Sequence, residues 1–96
     1  MRYIGFDLGD GESCVAYLTR ENVIEPRILS VSGSMSFVTA VADYRGETLV
    51  GPMALSTEGA ENVAIRFKSR ARTSPDEAFA DICRFLQGVT LQLKAA

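Results

Sequence analysis

The residues with the most chemical content lie near the start of the chain, in RYIGFDLGDGESCVAYLT. Asp7 closes a run of alternating apolar residues, and Gly9, Asp10, Gly11 and Glu12 follow as a tight turn. Consecutive backbone N–H groups in such a turn form a concave donor set that suits a phosphate, and glycine lets the backbone come close. A magnesium ion accompanying phosphates takes one or two carboxylates and keeps several waters, a role open to Asp7. Asp-Gly is also a strong hairpin signal in its own right, so a plain turn is the alternative at this point. Asp10 and Glu12 add negative charge that would repel a phosphate without a bridging cation. A second candidate is Lys68, within Arg66, Lys68, Arg70 and Arg72. It can serve as a cation beside phosphate, or the cluster can be a solvated helix face.

Composition narrows the classes. The chain has 96 residues, 47% hydrophobic and 23% charged, with a net charge of −2, as expected for one soluble globular domain or less. An acidic balance gives no electrostatic case for nucleic acid. No apolar run reaches the ~20 residues that span a bilayer, and the N-terminus lacks a signal-peptide core. A cytoplasmic protein with no membrane association is therefore expected. There is no histidine, and the two cysteines, Cys14 and Cys83, are not in a CxxC pair. Ser-His-Asp and Cys-His nucleophiles and the usual zinc sets are excluded.

The elements that must position these residues follow from periodicity. A strand is expected at 3–8, with Ile4, Phe6 and Leu8 on one face and Tyr3, Gly5 and Asp7 on the other. A second, apolar on both faces, is expected at 13–19 and a third at 23–31, where Pro26 belongs at an edge. A small-residue loop at 30–36 leads to a fourth strand at 37–43. Turn residues 43–47 and a return strand at 48–50 make a hairpin, broken by Gly51-Pro52. Residues 53–56 suit one helical turn. Residues 60–70 have helical spacing, with Val63 and Phe67 one turn apart. Ser74-Pro75-Asp76-Glu77 is a capping box opening a long helix. Its expected apolar stripe is Phe79, Ile82, Leu86, Val89 and Leu93. Gly88 inside it suits close packing.

Taken in order, these pieces resemble the nucleotide-binding domain of the seventy-kilodalton heat-shock chaperones, in the actin, sugar-kinase and chaperone ATPase superfamily. Asp7-Leu8-Gly9 and Ser13-Cys14-Val15-Ala16 match the first phosphate motif. Ser36-Phe37-Val38 through Leu49-Val50-Gly51 resembles the stretch that follows. Asn62 to Lys68 resembles the segment ending in the family's catalytic lysine, and Ser74 to Leu93 the long helix after it. The resemblance implies an α/β (α+β) fold, the N-terminal part of a ribonuclease-H-like, actin-type ATPase lobe. About five strands and two to three helices are expected. Residues 1–31 would be the first core strands with the phosphate loop, 32–73 a small inserted subdomain, and 74–96 a helix returning to the core.

The resemblance further implies ATP or ADP with magnesium as ligand: Asp7 organising the metal through water, Gly9, Asp10, Gly11 and Glu12 over the phosphates, and Lys68 as the catalytic lysine. Two departures stand out. Asp10 and Gly11 replace a pair of threonines, and Ser69-Arg70-Ala71-Arg72 replaces an apolar Leu-Ile-Gly stretch. The second phosphate motif and the adenosine site lie outside these 96 residues. The expected partners are accordingly a nucleotide and the second lobe of a parent ATPase, the chain by itself being inactive. As an isolated piece it is expected to self-associate through strand edges or the 79–93 helical face. The alternatives are a binding or regulatory module that keeps the fold without ATP turnover, and a small α/β protein whose hairpin only looks like a phosphate loop.

Overall fold

A computed structural model of the chain describes residues 4–18, 24–27 and 36–95. The expected strand at 23–31, the loop at 30–36 and the division at residue 31 fall partly outside them. Within the described residues, seven strands form two antiparallel sheets, accompanied by three helices. The mixed α and β character expected from periodicity is present.

In the first sheet, β1 (Ile4–Leu8) pairs with β2 (Glu12–Leu18), placing Phe6 opposite Val15 and Leu8 opposite Ser13. The other edge of β2 is shared. Its start pairs with β4 (Ser36–Val38) and its end with β3 (Ile24–Arg27), where Pro26 aligns with Ala16. Pro26 thus lies on an outer strand among the described residues, the place where a sheet tolerates proline.

The second sheet centres on β5 (Ala40–Tyr44), flanked by β6 (Glu47–Val50) and β7 (Glu61–Ile65). Arg45 and Gly46 join β5 to β6, both with positive φ (49° and 81°), the geometry that matches hairpin twist. Gly51 follows at φ 72°, ψ −150°, a region only glycine enters readily. There the chain turns into α1 (Pro52–Ser56).

The expected strand at 37–43 is divided. Thr39 interrupts it, so that β4 belongs to the first sheet and β5 to the second. The expected helix at 60–70 is corrected more deeply. Residues 61–65 form β7, and only α2 (Phe67–Arg70) is helical. β-Branched Val63 and Ile65 suit a strand, and pairing with β5 outweighs the local helical spacing. Asn62 and Val63 together oppose Ala42 as a β-bulge, with Asn62 at φ 53°. Arg66, at φ 55°, makes the corner into α2. These two changes raise the strands from about five to seven.

The core is organised around Phe85 of α3 (Pro75–Ala95). Its ring meets Phe67 at 5.5 Å, Phe37 at 6.0 Å and Phe6 at 6.1 Å. Val15, Val41, Val50 and Val89 complete this cluster, so both sheets, α2 and α3 share it. On the far side of the second sheet, Ala40 and Ala42 pack with Ala54 of α1. The residues of β5 therefore alternate between two apolar environments, which is why Ala40, Val41 and Ala42 are all buried.

The expected stripe on α3 is also corrected. The helix turns Ala78, Phe85, Gly88 and Val89 inward, with Ile82 partly buried, and leaves Phe79 and Leu86 exposed. The side chain of Leu93 lies outside the description. Apolar residues cover a wider arc of α3 than the sheet buries. Gly88 does serve close packing: a Cβ there would lie 2.5 Å from Val50 Cγ1. No helix among the described residues is long and apolar enough to cross a membrane.

Candidate functional site

The glycine turn is held from below by Thr39. The Thr39 hydroxyl donates to the Gly9 carbonyl at 2.9 Å, and the Thr39 N–H donates to the Gly11 carbonyl at 2.9 Å. The Ser13 and Thr39 hydroxyls are 2.6 Å apart. Thr39 has one hydroxyl proton, and it goes to Gly9, so Ser13 is the donor in this pair. Both side chains are buried. The break between β4 and β5 thus has a chemical purpose: it presents one residue's amide and hydroxyl to both ends of the turn.

The two turn glycines differ. A Cβ on Gly9 would collide with the Glu12 carbonyl oxygen, whereas one on Gly11 would have no atom within 4 Å. Gly9 is needed for the turn to close; Gly11 is not sterically constrained. Glu12 is exposed and opens β2 opposite Val38.

Asp10 leaves the tip of the turn and reaches α2. Its Oδ1 accepts the Ser69 N–H at 2.9 Å, and its Oδ2 accepts the Ser69 hydroxyl at 2.6 Å. These two bonds lower the Asp10 pKa below its ordinary 3.8, the hydroxyl contributing most, with help from the Arg66 and Lys68 charges. Asp10 is thus held by the residue after Lys68.

Lys68 itself is exposed. Its position is set by Phe67, fully buried against Phe85 on the preceding position of α2. Arg70 has a different task. It pairs with Asp81 at 2.7 Å, and its Nε–H donates to the Ile65 carbonyl at 3.0 Å. Arg84 continues this network to Asp81 at 2.9 Å and to Asp43 at 3.1 Å. The Asp43 pKa is lowered, chiefly by the Asn62 side-chain amide and then by Arg84. The network lines a groove of about 780 Å³ between β7, α2 and α3 and ties the bulged strand to the long helix.

Asp7 lies elsewhere. It alternates with Phe6 and Leu8, which face the core, so it projects from the opposite side of β1. It is exposed, with the Cys14 thiol 4.0 Å from its Oδ2. The structure joins the turn to α2 through Asp10 and leaves Asp7 on the other face of the hairpin. Asp7 is open to a water-mediated cation; Asp10 has both oxygens engaged by Ser69. Among the described residues, no group of three or more His, Cys, Asp or Glu side chains gathers as a metal site.

Sequence reasoning overlooked Thr39 and Ser69. Thr39 carried one signal, a hydroxyl inside the apolar run Val38 to Ala42, since a buried hydroxyl must find a partner. Ser69 stood out only as a departure from an apolar pattern. Comparison with protein-family models, with curated proteins and with solved structures finds no match for this chain.

Proposed function

We propose that this chain supplies one phosphate-facing edge of a nucleotide site, as the N-terminal part of a chaperone-like, actin-type ATP-binding domain. The observation that carries this reading is the Asp10–Ser69 join, which brings the glycine turn beside Lys68 across 59 positions of sequence. Gly9 lets the turn close, and Thr39 fixes the carbonyls of Gly9 and Gly11 on the inner side of the turn. Lys68 offsets negative charge at this edge, in keeping with the positional and electrostatic character of phosphoryl-transfer sites. Asp7, exposed on the other face of the hairpin, is not brought to this edge, and magnesium would enter with the nucleotide, held by phosphate oxygens and water. Bound ATP would supply the phosphoanhydride that such a domain cleaves.

A second reading, a binding or regulatory module without turnover, is favoured by the state of Asp10. Its carboxylate takes up both Ser69 donors and puts a negative charge at the turn, where a neutral hydroxyl would welcome phosphate. Two measurements separate the readings. Calorimetric titration with Mg-ATP should give heat of binding, and its absence up to millimolar nucleotide sinks the nucleotide reading altogether. Where binding is seen, phosphate release by the full-length protein decides between an ATPase and a module without turnover.

A further inference from the structure

The outer face of α3 carries a second apolar seam that no described strand or helix packs against. Phe79, Cys83, Leu86 and Thr90 recur at spacings of four, three and four, the a/d repeat of paired helices. Phe79 is 69% exposed and Leu86 39%. A helix apolar on both sides is normally covered on both, and here the inner side alone meets the sheets.

We infer that this seam pairs with the same seam of a second copy of the chain, the two α3 helices running antiparallel about a two-fold axis. Two features select this occupant. The seam alternates large and small residues. An antiparallel two-fold sets Phe79 against Thr90 of the second copy and Cys83 against Leu86 of the second copy, so each bulky side chain meets a smaller one. The charges also match. Asp76, in the first turn of the helix, and Lys94, in its last turn, flank the seam on the same side, and the positions between them there, Ala80 and Gln87, are uncharged. Antiparallel pairing brings acidic starts to basic ends and opposes the helix dipoles favourably. The β7 edge is a poorer route, because the bulge at Asn62 and Val63 distorts it. One helical seam is smaller than the roughly 800 Å² per partner of a standard interface, so the association is weak, micromolar or above.

The test uses the full chain with Cys14→Ala, leaving Cys83 as its one thiol. Light scattering should show the mass rising toward twice the monomer's with concentration. Phe79→Asp should keep the circular dichroism spectrum and hold the mass at the monomer value. Adding Leu86→Cys places two thiols across the antiparallel seam, close enough for a disulfide. Mild oxidation should convert this variant to covalent dimer, but not the protein with Cys83 alone, and Phe79→Asp should suppress the cross-link. A monomer at every concentration, or ready cross-linking through Cys83 alone, which requires a parallel seam, overturns the proposal.

Discussion

Asp10 and Ser69 are joined by two hydrogen bonds, 2.9 Å from the Ser69 amide and 2.6 Å from its hydroxyl, so that a turn residue closes the first turn of a distant helix. The sign of its pH dependence follows from the lowered pKa. Because the carboxyl is more acidic in the folded chain, the stability it contributes is full above its ordinary pKa of 3.8 and is lost as pH falls through the folded value. The melting temperature of the native chain should exceed that of Asp10→Asn at pH 7, and the gap should narrow toward pH 3. A constant gap would mean that the charge of Asp10 plays no part.

Thr39→Val keeps the shape of the side chain and removes its hydroxyl. The Gly9 carbonyl then loses its donor and the Ser13 hydroxyl its acceptor, in a buried setting. Urea unfolding should show a loss of about 1–3 kcal/mol. Thr39→Ser, which retains the hydroxyl, should lose less.

The two glycines of the turn should respond unequally to alanine. At Gly9 the new methyl meets the Glu12 carbonyl oxygen, and the strain should cost about 1–3 kcal/mol. At Gly11, with open space around it, the change should stay within roughly 0.5 kcal/mol. Equal effects at both sites would mean that the turn is not closed as described.

Lys68 is exposed, so Lys68→Ala should leave stability within about 0.5 kcal/mol of the native chain. Under the proposed function it should abolish ATP turnover by the full-length protein while largely sparing nucleotide affinity. An unchanged turnover rate refutes the role given to Lys68. Independently of nucleotide, removing this charge should raise the Asp10 pKa, which NMR titration of the carboxyl can follow.

Phe85→Ala removes the ring on which three other phenylalanines converge. Its cost should be about 3–5 kcal/mol, a large share of the 5–15 kcal/mol that holds a typical domain together. Phe79→Ala, on the exposed face, should have little effect on the unfolding of the monomer.

The strands around the glycine turn, the hairpin at Arg45-Gly46, the break at Gly51-Pro52 and the long helix from Pro75 were all legible, because each rests on local rules: alternation, turn chemistry and proline placement. Val63 shows where such rules stop. Its spacing from Phe67 suits a helix, but Ala64 packs under β5 and Val63 itself is 51% exposed, an outcome decided by a partner strand twenty residues earlier. The same holds on α3, where the sequence marks a broad apolar arc and only the placement of β6 against Gly88 selects which part is buried. At the candidate site, Gly9 and Asp10 were visible as a turn. Their fastening by Thr39 and Ser69 was not, since hydrogen bonds between distant residues leave no periodic trace.

That fastening bears on the order in which the chain folds. The β1–β2 hairpin closes over a few residues and needs little loop entropy. Thr39 must arrive from 30 positions beyond Gly9, and Ser69 from 59 beyond Asp10, each closure costing more as the loop lengthens. The turn's final shape therefore sets only after the hairpin itself has closed. Substitutions at Thr39 and Ser69 should accelerate unfolding and leave the refolding rate nearly unchanged.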